Sequence, residues 1–174
     1  MSKMAEKTTT RAFPHANTGV IITASERCML DQLESIQDEQ GFRFTLLRKL
    51  VYLFVYRAKA QGISAYQILD MMKCHNPQAQ PATIYRSLDF LLQTRLIIKI
   101  ESKSKFIARK ESINEETSIY LVCSDCGSVK EISDSAFKDF LKKITDNSGH
   151  IIKKDYIEIS VICPDCQSSL NISH

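Results

Sequence analysis

Two Cys-x-x-Cys pairs constrain the fold of this chain more than any other feature of its sequence. Cys123 and Cys126 follow one β-like run of residues, and Cys163 and Cys166 follow another. A gap of two residues lets both thiolates of a pair reach one metal ion at about 2.3 Å, and two pairs complete a closed tetrahedral site without a position for catalysis. The spacing therefore predicts one structural Zn²⁺ ion per protomer, which would tie the last strand of the chain to an earlier hairpin.

Other interpretations of the cysteines stay open at this point: a redox dithiol, disulfide pairs or an iron site. A redox enzyme should carry its reactive pair at the N-terminus of a helix. Both pairs here follow predicted strands, which favours zinc. Cys28 falls on an amphipathic helix and is predicted to lie in the core. Cys74 and His75 are adjacent in a predicted loop, where metal binding is the less favoured interpretation.

The charge of the chain is distributed unevenly. Residues 41–110 carry 13 basic and 3 acidic residues, a net charge of +10. Residues 1–40 carry 4 basic and 6 acidic residues, and residues 111–174 carry 6 basic and 11 acidic residues, so their net charges are −2 and −5. A basic block beside acidic ones is the electrostatic pattern of a domain that binds nucleic acid. The same block also fits a solvated basic face, so the charge alone does not distinguish this alternative from nucleic-acid binding.

The sequence indicates a cytoplasmic protein. It contains no run of about 18 apolar residues, which a membrane-spanning helix would need. The N-terminal residues lack the apolar core of a signal peptide, so neither a membrane nor secretion is expected. In a reducing compartment, six cysteines are better interpreted as thiols or metal ligands than as disulfides.

Apolar periodicity predicts the order of the elements. Residues 1–24 lack an apolar period and are predicted to form a flexible arm. Residues 25–108 carry helical patterns that are predicted to begin at Ser25, Thr45, Ser64 and Pro81, followed by two short strands. Packed helices followed by a two-stranded hairpin are typical of a winged helix-turn-helix, which is a DNA-binding fold.

The sequence pattern of residues 109–174 predicts a hinge and a second, smaller unit. Residues 109–117 are polar and acidic, as expected of a hinge. In residues 118–174, two strands flank the first cysteine pair, a helix capped by Ser133 follows, and a last strand from Tyr156 to Ile162 leads into the second pair. The predicted fold class is therefore α+β: an N-terminal winged helix-turn-helix followed by a small α/β domain with a Cys₄ zinc site.

Several polar residues of the predicted winged helix suit DNA. The outer face of the fourth helix presents Thr83, Tyr85 and Arg86. Arginine can donate a bidentate pair of hydrogen bonds to guanine, while tyrosine and threonine can contact thymine methyl groups or phosphate. Other basic side chains are predicted to hold phosphates: Arg43, Arg48, Lys103 and Lys105. The alternative is that Tyr85 packs against the protein and Arg86 is a solvated surface charge.

Longer stretches of the sequence resemble the ferric uptake regulator family. The resemblance rests on Pro81–Leu91, on Gly41–Thr45 with Arg48, and on Leu121–Gly127. It is strongest to the zinc uptake regulator branch of that family, through residues 63–70, 76–81 and 99–102. Together these stretches extend the resemblance over about residues 25–166.

The resemblance implies a homodimeric transcriptional repressor of metal homeostasis genes. The winged helix would bind a pseudo-palindromic DNA operator, and the C-terminal α/β domain would dimerise through its sheet. Tyr66 and Arg86 would read bases, because they match the base-reading positions of the zinc branch. Asp70 would sit where neighbouring dimers pair on one operator, with Lys73 as its partner.

One part of the family pattern is missing. Members of the zinc branch carry a sensing metal site of His, Cys, His and Glu at the hinge. The corresponding positions here hold Ile98, Arg109, Glu116 or Thr117, and Glu131, of which only Glu131 matches. The histidines of the iron-sensing pattern are also missing from their places. Because a guanidinium repels a cation but pairs with carboxylates, we expect a salt bridge from Arg109 to Glu116 or Glu131 in place of a regulatory metal.

The sequence thus predicts a DNA-binding regulator without catalysis and without a small-molecule substrate. Two rivals stay open: a dithiol oxidoreductase, and a zinc-ribbon interaction module that does not bind DNA. Thiol titration before and after chelation separates the first rival from a Cys₄ zinc site, which shields its thiols.

Overall fold

The computed structural model of the chain describes residues 19–109, 118–132, 134–151 and 156–169. Most of the predicted arm, the hinge after Arg109 with both Glu116 and Thr117, and the predicted cap Ser133 lie outside these residues.

Four helices form the N-terminal part: α1 (Ala24–Glu39), α2 (Leu46–Ala58), α3 (Ala65–His75) and α4 (Pro81–Gln93). The structure confirms Thr45 and Ser64 as N-caps and Pro81 as the first residue of α4. The predicted cap Ser25 is wrong, because the N-cap of α1 is Thr23, two residues earlier, within a capping box. There the Glu26 N–H donates to the Thr23 hydroxyl, and the Thr23 N–H donates to the Glu26 carboxylate at 2.9 Å.

The core of this part is built around α2. Five of its residues are buried, because α3, α4 and the hairpin strand Lys105–Ala108 all contact α2: Leu50, Val51, Leu53, Phe54 and Val55. The structure corrects two predictions about cysteines. Cys28 is exposed rather than in the core, because α1 buries the neighbouring face with Leu30 and Leu33. Cys74 and His75 belong to the last turn of α3, not to a loop.

The hairpin after α4, called the wing below, consists of β1 (Ile97–Ile100) and β2 (Lys105–Ala108). The strands are antiparallel, with Ile97 opposite Ala108 and Ile100 opposite Lys105. The two strands are joined by a 3₁₀ turn, Glu101–Lys103, which ends at Ser104 in the left-handed conformation.

The C-terminal unit has a sheet of β3 (Ser118–Cys123), β4 (Val129–Ile132) and β5 (Tyr156–Val161), in the order β4-β3-β5. Strand β4 is antiparallel to β3, and β5 is parallel to it. A parallel neighbour requires a crossover connection, which contains α5 (Ser135–Asn147) with Asp134 as its N-cap. A short helix α6 (Pro164–Ser169), which the sequence analysis did not predict, follows Cys163.

The two units share a buried apolar cluster, called the junction cluster below. Its members are Ile98, Ile100 and Ile107 from the wing and Tyr120, Val122 and Val129 from the C-terminal sheet. The wing therefore packs against the sheet of the C-terminal unit. No helix in the described part of the chain is both long and apolar enough to span a membrane. The observed class, mixed helices and sheets with an N-terminal winged helix, confirms the predicted fold class.

Candidate metal centre and nucleic-acid interface

The four cysteines of the two pairs meet in one cluster. Their sulfur atoms all lie within 4.8 Å of one another. The Sγ atoms of Cys126 and Cys163 are 3.6 Å apart, and those of Cys123 and Cys166 are 3.9 Å apart. A tetrahedron with metal–sulfur bonds of about 2.3 Å has sulfur–sulfur edges of about 3.8 Å. The donor set and its spacing thus fit a tetrahedral zinc ion, and all six cysteines are free of disulfides.

Backbone hydrogen bonds hold this arrangement. Gly127, at φ 72°, lets the first pair turn tightly, and its N–H donates to the Cys123 carbonyl at 3.1 Å. The Ser124 N–H donates to the Val161 carbonyl at 2.8 Å, which fixes the first pair against the end of β5. The Cys163 N–H points at the Cys123 sulfur and, with other amides, lowers the pKa of Cys123 to about 6. Neighbouring thiols, Cys163 first, raise the pKa of Cys166 to about 12.

The structure corrects one argument about the second pair. Both pairs were expected to follow strands away from helix N-termini, but Cys163 directly precedes α6 and Cys166 lies within it. Pro164 explains the difference, because proline is favoured in the first turn of a helix. The helix criterion therefore does not argue against a redox pair here. The argument that remains is the single cluster of four sulfurs, which two independent dithiols would not require.

The polar residues predicted to contact bases are all solvent-exposed, on α3 and α4. Thr83, Tyr85 and Arg86 lie on the exposed face of α4, opposite the buried Ile84 and Leu88. Tyr85 is 55 % exposed, so the alternative in which it packs into the protein is wrong. On α3, Tyr66 is 71 % exposed, and Asp70 and Lys73 are exposed as well.

The residues predicted to hold phosphates have protein partners that the sequence did not predict. The Arg48 guanidinium lies 3.6 Å from the centre of the Phe90 ring and donates to the Arg43 carbonyl. Lys103 Nζ donates to the Ser124 carbonyl at 3.1 Å, and Lys105 Nζ donates to the Gln61 carbonyl at 3.0 Å. Arg43 is exposed. Phosphate binding by these residues stays a prediction.

The positions that match the family's sensing site do not form a ligand set in the described residues. Ile98 is only 3 % exposed and belongs to the junction cluster. The Tyr120 hydroxyl donates to Glu131 at 2.7 Å, and burial together with this bond raises the pKa of Tyr120. Arg109 and Glu131 line one cavity of about 620 Å³ between α1, α2 and the C-terminal sheet. Their salt bridge stays a prediction, and Glu116 lies outside the described residues.

The sequence analysis missed the polar contacts between the wing and the C-terminal sheet. Glu158, on β5, accepts three hydrogen bonds from the turn of the wing. Strand alternation places Glu158 on the polar face of β5, but this signal does not distinguish a solvated carboxylate from one that binds another element.

A winged helix joined to a small sheet that carries four clustered cysteines defines a class of regulatory protein, and comparison identifies the family. Residues 39–160 match the model of the Ferric uptake regulator family, so the chain belongs to that family. The predicted resemblance is confirmed.

The similar proteins include zinc uptake regulators. The chain is 32% identical over 139 residues to the zinc uptake regulation protein of Escherichia coli K12, covering 79% of this chain and 81% of that protein. It is 29% identical, with a TM-score of 0.77, to a zinc uptake regulator in complex with zinc and DNA, covering 86% of this chain and 99% of that one. Holo XcZur is 25% identical, with a TM-score of 0.71 and coverage of 81% and 98%.

Proposed function

We propose that this protein is a cytoplasmic, sequence-specific repressor of zinc uptake genes that binds a pseudo-palindromic operator as a homodimer. The observation that carries the proposal is the exposed face of α4 with Thr83, Tyr85 and Arg86. This face belongs to a segment, residues 41–110, with a net charge of +10. The similarity to a regulator in complex with zinc and DNA supports the same role for the winged helix.

Direct reading of bases is assigned to the two exposed helices. Arg86 would donate a bidentate pair to guanine O6 and N7 in the major groove. Tyr66, at the start of α3, would read a base as well, and Tyr85 and Thr83 on α4 would add contacts to thymine methyl groups or phosphate. Phosphate contacts from Arg43, Arg48, Lys103 and Lys105 would position the helices without reading sequence.

The four-cysteine cluster would hold one structural zinc ion per protomer. Cys123, Cys126, Cys163 and Cys166 fill all four positions of a tetrahedron, so the ion would have no open position for a substrate or water. An ion there joins the turn after β3 to the start of α6 and so ties β5 into the sheet. Bound zinc supplies folding free energy, because the unfolded chain has no preformed site. We therefore assign the site to stability and not to catalysis.

Dimerisation is assigned to the C-terminal unit, residues 118–174, with residues 25–108 as the DNA-binding domain and 109–117 as the hinge. Phe140 and Ile144 lie one turn apart on α5 and are 59 % and 48 % exposed, and Ile159 on β5 is 39 % exposed. Contiguous exposed apolar patches mark surfaces that bind other proteins, so we assign Phe140 and Ile144 to the dimer interface. Asp70 and Lys73, both exposed on α3, are candidates for pairing between neighbouring dimers.

Regulation by a second metal ion is not part of the proposal. A buried isoleucine and an arginine stand at two of the four sensing positions, and neither side chain binds zinc. We propose that Arg109 pairs with Glu131 or Glu116 to hold the hinge instead. The closed arrangement of the two units would then persist without added zinc.

Selection of DNA from a random pool, followed by footprinting, tests the proposed function. We expect a pseudo-palindromic site whose half-sites are centred about one helical turn, or a multiple of it, apart. Equal affinity for all fragments would contradict a sequence-specific repressor, and failure to bind any fragment would favour the zinc-ribbon interaction module.

A further inference from the structure

The turn of the wing donates hydrogen bonds to the carboxylate of Glu158 in the C-terminal unit. One oxygen of Glu158 accepts the Glu101 N–H at 2.7 Å. The other oxygen accepts the Ser102 N–H at 3.2 Å and the Ser102 hydroxyl at 2.8 Å. Hydrogen bonds to an ionised acceptor are the strong ones, and here both oxygens of one carboxylate are used.

Two further bonds join the wing to the same region of the C-terminal unit. The Tyr156 hydroxyl donates to the Lys99 carbonyl at 2.8 Å. Lys103 Nζ donates to the carbonyl of Ser124, which lies between the two cysteines of the first pair. We call these contacts, with those of Glu158, the wing latch. The latch thus connects the tip of the wing both to β5 and to the turn that carries half of the metal ligands.

The latch lies beside the junction cluster. Tyr120, a member of the cluster, contacts Tyr156 edge to face, with ring centroids 5.9 Å apart. Apolar packing alone permits sliding, because it is not directional. Hydrogen bonds from two successive backbone positions to one carboxylate fix the angle at which the wing meets the sheet.

We propose that Glu158 is a positioning residue for DNA binding. Through the wing latch it sets the orientation of α3 and α4 relative to the C-terminal unit. This inference rests on the proposed function for its DNA readout, but the orientation itself is measurable without DNA. In a dimer joined through the C-terminal units, this orientation would fix the separation of the two α4 helices, and therefore the fit to both half-sites of an operator.

A nearly isosteric substitution of Glu158 tests the wing latch. In Glu158→Gln, the amide replaces one oxygen with an NH₂ group, which only donates hydrogen bonds. Whichever way the amide turns, a donor then faces an N–H of the wing turn. Ser102→Ala is milder, because it removes the hydroxyl bond and leaves both backbone bonds. Asp139→Asn, which removes a carboxylate from an exposed position on α5, is the matched control for the loss of charge.

The orientation is measured by electron–electron distance spectroscopy between two spin labels in one protomer. With Cys28→Ser in the background, one label is placed on exposed Cys74 of α3 and the other at Lys142→Cys on α5. Dilution with unlabelled chain restricts the signal to pairs within one protomer. Zinc content and mass in solution are recorded for every variant, so that loss of the fold is recognised.

We expect Glu158→Gln to broaden or shift the distance distribution and to weaken operator binding about tenfold, a typical size for coupling between two sites. Zinc content and the salt dependence of binding should not change, because no phosphate contact is removed. Ser102→Ala should cause a smaller change of the same kind, and Asp139→Asn should cause none. Wild-type distances in folded Glu158→Gln would overturn the latch. Altered distances in a protein that binds no operator would leave the latch standing and reject the proposed function.

Discussion

Replacing Arg86 by alanine separates base reading from general attraction to DNA. Arg86 lies exposed on α4, opposite a helix face buried by Ile84 and Leu88, so its loss should change the stability of the fold by less than about 0.5 kcal/mol. A bidentate arginine–guanine pair contributes about 1–3 kcal/mol of discrimination. Because a dimer would place one Arg86 on each half-site, the loss on a full operator is about 2–6 kcal/mol if the half-sites are independent.

The assay is competition between labelled operator and three unlabelled duplexes at several salt concentrations. The duplexes carry the operator, the operator with one changed base pair in each half-site, and a random sequence. Arg86→Ala should lose affinity for the operator, gain tolerance at one base position and keep its affinity for random DNA within a few-fold. Arg43→Ala is the matched control: it should weaken all three alike and lower the salt slope by about one per protomer. Equal losses on operator and random DNA for Arg86→Ala would refute its assignment to base reading.

Three further changes test other parts of the account. Cys126→Ser should lose zinc and the C-terminal fold together, because three thiolates no longer close the site; a zinc-free variant with wild-type melting behaviour would rule this out. Lys103→Ala should lower the salt slope by about one per protomer, because the side chain is proposed to hold phosphate; an unchanged slope with altered spin-label distances would contradict this assignment and favour a role in the bond to Ser124 alone. Arg57, which hydrogen-bonds the Glu26 carboxylate, lowers the pKa of Glu26 from 4.5 to about 2. The stabilisation is therefore full above about pH 4.5 and is lost as the pH falls toward 2, and Glu26→Gln should cost about 1 kcal/mol at neutral pH after screening by solvent. Urea unfolding of both proteins should show this difference shrink in acid, and a constant difference would contradict the assignment.

Local features of the sequence predicted most elements correctly. Thr45, Ser64 and Pro81 begin their helices because capping and proline geometry depend on a few neighbouring residues. Each Cys-x-x-Cys pair was predictable for the same reason, since it is a two-residue gap, although the meeting of the two pairs in one cluster depends on the parallel pairing of β3 with β5.

Contacts between distant residues were not predictable in this way. From the sequence, Glu158 is predicted to be a solvated residue on the polar face of a strand. In the fold it binds the turn of the wing at Glu101, which is 57 residues away in sequence. The sequence shows the charge of Lys103 and so predicts a phosphate contact. It does not show that the Ser124 carbonyl lies beside this side chain in the fold and accepts a hydrogen bond from it. The sequence predicts Cys28 in the core because helical periodicity alone does not fix which residues at the edge of the apolar face are buried.

Zinc stoichiometry measured together with operator affinity tests the central claim most directly. Purified protein is analysed for metal, and its operator affinity is then followed while free zinc is raised in a buffered series. We predict about one tightly bound zinc per protomer and an operator affinity that changes by less than about tenfold, equivalent to about 1.4 kcal/mol of coupling. A second zinc of sub-micromolar affinity that raises operator binding by more than this factor would contradict the account, because it would require a sensing site that the residues at Ile98 and Arg109 do not provide.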